Sequence, residues 1–344
     1  MKYLLILCGI FSSLLLSAQT ITSGQSSLIY ALPKTELVIT AYIEKVTETP
    51  GEFYQYSDRY LAETNVIKAK NTFYRFKNLS VSTRTVPDKE RTFSLIPGKK
   101  SLASLITVNE QGLLCGINVP SVNVANRIET PKKLAEVEKE QKLLPLNEEY
   151  MLAGSLAKMA EGAAKQIYRI RENRIDLMAG DVEYVPTDGA SMKTMIEQMN
   201  EQEKRLTELF TGSTIVEEFS QNITYIPTEA VYDQVAFRFS SFEGIVPADD
   251  LSGTPFYISV AYQPIVVEPT EKKKKVKEEV FSILPVAAKI QIENNDNEFF
   301  NQDLVIPQLG ILMPLPLETM DKYSKAYVSP ETGRLLSVEQ GYKK

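Results

Sequence analysis

The hydrophobic period of this chain changes once and then changes back. From Ser26 to about Asn123 apolar residues alternate as in strands, as in Glu36-Leu37-Val38-Ile39-Thr40-Ala41-Tyr42-Ile43-Glu44-Lys45-Val46. Between Asn147 and Thr211 they recur at helical spacing: Met151, Leu156, Met159, Ala160, Ala163, Ile167 and Ile170, then Met192, Met195, Met199, Leu206 and Phe210. From Ser213 onward the strand pattern returns. A single helical block between two β blocks is not the alternation that builds a parallel sheet. Prolines at 227, 247, 255, 264, 269, 285, 307, 314, 316 and 330 punctuate the second β block, which suits an antiparallel meander.

The helical block itself breaks between Asp181 and Gly189, around Pro186, and Gly212 stops it. Two amphipathic helices joined by a short loop make an antiparallel hairpin. The fold class expected is therefore α+β, with antiparallel β-rich N- and C-terminal domains and an inserted helical hairpin. The boundaries are 1–18 for a signal peptide, 19–125 for the N-terminal β domain, 126–146 for a linker, 147–212 for the hairpin and 213–344 for the C-terminal β domain. The linker is charged and poor in aromatics, and reads as a connector or an exposed strap. Within the first β domain, Glu52 to Leu61 has helical spacing, while Pro87-Asp88, Pro97-Gly98 and Asn109-Glu110-Gln111-Gly112 read as turns.

The first eighteen residues set the expected location. Met1-Lys2, the apolar run Tyr3 to Leu16 and the small residues of Ser17-Ala18-Gln19 form the pattern of a cleaved secretory signal. The run falls short of the roughly 20 residues that span a bilayer. Cys8 lies too early in it for a lipoprotein signal, so lipidation is not expected. The mature protein is expected in the periplasm or at the outer-membrane periphery, with no transmembrane segment.

Chemistry is constrained mainly by what is missing. The 344 residues include no histidine, and cleavage would leave Cys115 as the one cysteine. Ser-His and Cys-His pairs and imidazole metal sites are thereby excluded. Neither G-x-G-x-x-G, nor G-x-x-x-x-G-K-[ST], nor G-x-S-x-G occurs. No catalytic residue, cofactor or metal is expected. Lys and Arg number 38 against 44 Asp and Glu, a balance that argues against nucleic acid as partner.

Three features retain some functional content. Phe53, Tyr54, Tyr56 and Tyr60 form the densest aromatic cluster; packing onto the first sheet is the simpler reading, with Tyr54, Tyr56 and Tyr60 as candidate contacts to a glycan or partner chain. Lys272 to Lys275 with Lys277 reads as the charged tip of a hairpin, and Glu293 to Glu298 as a solvated turn rather than a calcium loop. Leu32-Pro33 and Leu284-Pro285 echo one another, as do Glu52-Phe53-Tyr54-Gln55 and Glu298-Phe299-Phe300-Asn301, but the spacings differ and coincidence is the better explanation.

Several stretches resemble the family known as domain of unknown function 4831, found in envelope proteins of Bacteroidetes. They are Tyr30-Ala31-Leu32-Pro33-Lys34-Thr35, Pro50-Gly51-Glu52-Phe53-Tyr54-Gln55-Tyr56, Arg59-Tyr60-Leu61, Ile167-Tyr168-Arg169-Ile170-Arg171-Glu172, Gly180-Asp181 and Leu209-Phe210-Thr211-Gly212. The resemblance covers nearly the whole mature chain and implies location and architecture, with no functional residue to carry over. The reading is an exported, non-catalytic interaction or accessory protein whose partner is an envelope protein or glycan. The alternatives are a glycan- or peptide-binding module and a hydrolase working through two carboxylates.

Overall fold

The structure is a computed structural model that describes residues 28–95, 105–128, 130–134, 152–182, 188–266, 279–315, 317 and 320–341. The signal peptide, the lysine run, the Pro97-Gly98 turn and most of the 126–146 linker lie outside them. The fold is α+β: antiparallel sheets with an inserted helical pair.

The strand pattern read over Glu36 to Val46 lies within the longer β1 (Leu28–Thr49). A 3-10 turn (Tyr54–Tyr56) and α1 (Ser57–Leu61) follow, and then β2 (Asn71–Leu95), β3 (Ile106–Val108) and β4 (Leu114–Ile117). The hairpin is α2 (Leu156–Ala179) and α3 (Gly189–Thr211). Ser155 caps α2 by accepting from Lys158 N, Gly180 ends it in the left-handed region, and Asp188 caps α3 by accepting from Ser191 N. The second β block is β5 (Ser213–Tyr225), β6 (Val231–Ser240), β7 (Gly244–Val246), β8 (Thr254–Tyr262), β9 (Phe281–Glu293), β10 (Glu298–Pro314), β11 (Lys325–Val328) and β12 (Leu335–Glu339).

Among the described residues the strands form three sheets, in the orders β2-β1-β5, β10-β9-β8-β6-β7 and β12-β11-β4-β3. The first two pack face to face. Leu37, Ile39 and Leu79 meet Phe237, Phe256, Ile258, Val260, Ile290 and Ile306 there. A second core forms where the start of β1 meets the four-stranded sheet, from Tyr30, Leu32, Ile106, Leu114, Ile117, Ile283, Ala326 and Val328. Residues 19–125 and 213–344 do not keep separate sheets: β5 pairs with β1, and β11 pairs with β4.

The β4–β11 pairing joins the two copies of a structural repeat. The unit β1-β2-β3-β4 recurs as β9-β10-β11-β12. Lys34 and Ala31 face Val86 and Thr92; Val286 and Ile283 face Ile306 and Leu312, so both long hairpins carry the same bulge. In the short hairpins, the register shift between Thr107 and Val108 recurs between Tyr327 and Val328. Asn109 N donates to Leu113 O and Gly112 N to Asn109 O; Ser329 N donates to Arg334 O and Gly333 N to Ser329 O. Gly112 (φ 80°) and Gly333 (φ 68°) occupy the same left-handed position of this turn. Ala31 N donates to Gly112 O at 2.9 Å, and Ile283 N to Gly333 O at 2.7 Å. The Leu32-Pro33 and Leu284-Pro285 echo is therefore a true repeat. The Glu52 and Glu298 stretches are not equivalent, since one lies in the connection after β1 and the other inside β10.

The two copies lock together at their bulges. Arg91, from the first bulge, donates to the carbonyls of Pro307, Gln308 and Gly310 in the second, at 3.3, 2.9 and 3.4 Å. The Gln308 side chain accepts from Thr35 N and donates to Thr35 O and Pro227 O. Pro87-Asp88, expected as a turn, lies within β2 as part of this bulge. Beside the lock, the Tyr30 phenol accepts from Phe281 N at 2.9 Å; burial pushes its pKa up to about 12 against the opposing pull of that bond.

The linker contributes a strap. The Asn126 side chain bonds both N and O of Thr85 on the outer edge of β2, and Lys132 exchanges bonds with Ser220 on the outer edge of β5. On the outer face of this sheet Val38 and Thr40 are each only 2% exposed.

Replacing Arg91 with Met is expected to lower unfolding stability by about 2–3 kcal/mol in denaturant titrations, because it strips charge-assisted partners from a part-buried cluster of carbonyls. An exposed control such as Arg127→Met should change little.

Candidate interaction surface

The inserted hairpin stands on the chain that leaves β1. A Cβ on Gly51 would lie 2.3 Å from Leu209 O, so only glycine lets the two backbones approach this closely. Phe53 N donates to Leu209 O at 2.7 Å, and the buried Phe53 ring sits 5.4 Å from that of Phe210. Phe53 thus joins Ala160, Ala163, Ala164, Ile167, Ile170, Leu206 and Phe210 in a third core.

That anchor fixes the tyrosines. Tyr56 and Tyr60 pack half-buried against this core, their rings 6.3 Å apart. The Tyr60 phenol donates to Ala157 O at 3.4 Å, and the Tyr168 phenol donates to Tyr60 O at 2.8 Å. The guanidinium of Arg59 lies 5.3 Å from the centre of the Tyr60 ring, and that of Arg171 lies 5.6 Å from the Tyr168 ring. Tyr54 is also half-buried and accepts from Gln55 Nε2 at 3.2 Å.

The structure therefore brings Tyr56 and Tyr60 together. Both rings help seat the hairpin on α1, whereas sequence reading expected packing onto the first sheet. Tyr168, Arg59 and Arg171, which pattern reading left out, complete a Tyr/Arg patch. The available signal was Tyr168, which interrupts the polar flank of α2 just after the core residue Ile167. It is 45% exposed.

Next to the patch, Glu203 is held between Arg171, at 2.6 Å, and Arg174. Burial raises the Glu203 pKa, but the bonds from the two arginines outweigh it and the net shift is downward. Asp188 is also lowered, by its bonds to Ser191. A proton-donating acid in glycoside hydrolysis needs the opposite shift. An open groove of 820 Å³ beside Thr211 and Thr214 is lined by Glu48 as its one carboxylate, with Lys68 and Lys70.

Among the described residues no group of three His, Cys, Asp or Glu could hold a metal ion. The Glu293–Glu298 segment is a hairpin turn in which Asn294 Oδ1 accepts from the backbone N of Asp296 and Asn297. Cys115 is buried, its thiol bonded to the carbonyls of Leu113 and Val122. No described helix is long and apolar enough to cross a membrane.

The sequence profile of the family described as Domain of unknown function (DUF4831) matches residues 26–336. The chain belongs to this family. No curated protein and no solved structure matches it. The family match takes in the first copy of the repeat, the helical pair and the second copy as far as residue 336, inside β12.

The lowered Glu203 and Asp188 set a pH dependence. A carboxylate with a depressed folded-state pKa contributes stability above its unfolded value and loses it as pH falls through the folded one. The thermal midpoint should fall on acidification below the ordinary carboxylate range. Glu203→Gln should lower stability at neutral pH and flatten that acid limb. Circular dichroism melts across pH check both.

Proposed function

We propose that this DUF4831 protein is exported to the periplasm or outer-membrane periphery and acts by binding another envelope protein, without catalysis of its own. Export rests on the Met1 to Gln19 signal pattern. Binding rests on the Tyr/Arg patch at the hairpin base, above all on the exposed Tyr168 ring beside Arg171. Tyrosine and arginine are the residue types that dominate binding hot spots, because they offer large rigid contact area with a polar end. The absence of histidine and of nucleotide or nucleophile motifs fits the same reading.

The test is crosslinking in intact cells with a tagged chain, followed by mass spectrometry of co-purified protein. A reproducible envelope partner whose yield falls at least tenfold in Tyr168→Ala supports the reading. A partner retained equally by Tyr168→Ala and Arg171→Ala, or turnover of an envelope polymer by the purified protein, overturns it.

One observation favours a second reading. An exposed tyrosine face flanked by half-buried tyrosines is also a platform on which a sugar ring stacks. Amide and tyrosine-ring shifts during a glycan titration would reveal it, and unchanged spectra across a broad panel would remove it.

A further inference from the structure

The two copies of the repeat do not bury the same residues. Their register makes Leu336 the counterpart of Cys115 and Val338 the counterpart of Ile117. Cys115 is 3% exposed and Ile117 0%, whereas Leu336 is 64% exposed and Val338 38%. The second copy has kept apolar residues at positions that the first copy covers.

What covers the first copy is visible. Across the outer edge of β4, Ile117 pairs with Ala326 and Gly116 with Tyr327 of β11. On the sheet face, Val122 N donates to Cys115 Sγ at 3.4 Å. The equivalent edge of β12 ends the four-stranded sheet. Asn118 N donates to Leu105 O, so Ile117 turns its own N–H and C=O away from β3, and by equivalence Val338 turns its pair away from β11. Leu336 also closes one end of an apolar pocket of 240 Å³ lined by Cys115, Val122, Tyr327, Val328 and Pro330.

We propose that the outer edge of β12 accepts an extended strand from a partner protein, paired antiparallel through Val338 and placing apolar side chains against Leu336 and the pocket. The template is the chain's own β4–β11 junction, which the β12 edge continues. Adding a strand to an open edge is an established mode of peptide recognition, with affinity from the main chain and specificity from alternate side chains. The partner segment should therefore resemble Ala326-Tyr327-Val328 in alternating apolar and aromatic residues. A second copy is the poorer match. A two-fold pairing of β12 with β12 through Val338 would set the charged Glu339 where β11 sets Tyr327. The inference rests on the binding function proposed above and adds to the Tyr/Arg patch a second contact surface for the same partner.

The test uses the peptide Ser-Lys-Ala-Tyr-Val-Ser, copied from residues 324–329, added at up to millimolar concentration to isotope-labelled protein. Saturable amide shifts confined to Ser337, Val338, Glu339 and the pocket residues are expected, with none for a scrambled peptide. Val338→Pro removes the outward N–H, which an edge strand tolerates, and should weaken binding at least tenfold. Leu336→Glu should weaken it through the side chain while leaving the outward N–H in place. No shifts, or equal binding to Val338→Pro, overturns the assignment. So does a concentration-dependent mass of the free protein that Leu336→Glu abolishes, which would make the occupant a second copy. If the crosslinked partner persists in Leu336→Glu while the peptide fails, this edge is wrong and the binding function stands. If the peptide binds but no cellular partner is found, the binding function loses its support while the edge retains its chemistry.

Discussion

The architecture depends on the lock between two backbone bulges. A bulge exposes carbonyls that no ladder satisfies, and burying them without partners would cost roughly 1–3 kcal/mol each. Arg91 meets three such carbonyls with a fork of donors, and Gln308 returns bonds from the second bulge to Thr35. Each copy of the repeat thus contributes one polar side chain that the other requires. The groups sit between the sandwich core and the Tyr30–Ile283 core, where mispairing would leave polar atoms unsatisfied. The lock therefore sets the register in which the two halves meet, and the pairing of β11 with β4 follows.

This explains why the helical pair can be inserted without disrupting the sheets. The first turn of α2 lies beside α1, where the Tyr60 phenol donates to Ala157 O, and α3 ends at Thr211, two residues before Ser213 pairs with Thr49. A hairpin whose two ends meet the end of β1 and the helix after it needs only a local footing. Gly51, Phe53 and Leu209 supply it through one close backbone contact and one buried ring. The strap has a related logic. It bonds to both outer edges of the three-stranded sheet, at Thr85 through Asn126 and at Ser220 through Lys132.

Much of the architecture was legible in the sequence because burial on one face leaves a period. Glu36 to Val46 reads as a strand, and the Met192-to-Phe210 stripe reads as a helix between the Asp181–Gly189 break and Gly212. What periodicity cannot show is partnership. The pairing of β1 with β5 is set by residues nearly two hundred positions apart, and nothing local encodes it. Pro307 and Pro314, which read as punctuation, both lie within β10, and Pro307 sits where the bulge relieves it of ladder bonding. The duplication was obscured because its copies share backbone geometry more than side chains. Leu-Pro, the second proline and the turn glycine persist, whereas Thr92-Phe93-Ser94 faces the same task as Leu312-Met313-Pro314. At the candidate surface, Tyr56 and Tyr60 were findable as a cluster. Tyr168 and Arg171 belong to it only because the hairpin docks there.

A duplicated unit also offers an internal control that a single domain lacks. Both copies must satisfy the same hydrogen bonds around the glycine turn, so what they share reports on folding. What they do not share reports on differences in surroundings. Cys115 and Leu336 occupy one position in the repeat, and both are apolar in character. Had the second position been selected only for contact with water, a polar residue would have served it without the cost of an exposed leucine. The tyrosine patch has no counterpart in the second copy, since β9 and β10 are joined by the short Asn294–Asn297 turn. The two candidate surfaces differ in setting: the β12 edge lies on the repeat, whereas the Tyr/Arg patch is built where α1, in the β1–β2 connection, meets α2. A binding protein with both could hold an extended segment along the β12 edge while the hairpin base contacts a folded surface, and the two would act with the multiplied affinity of linked sites if one partner spans them.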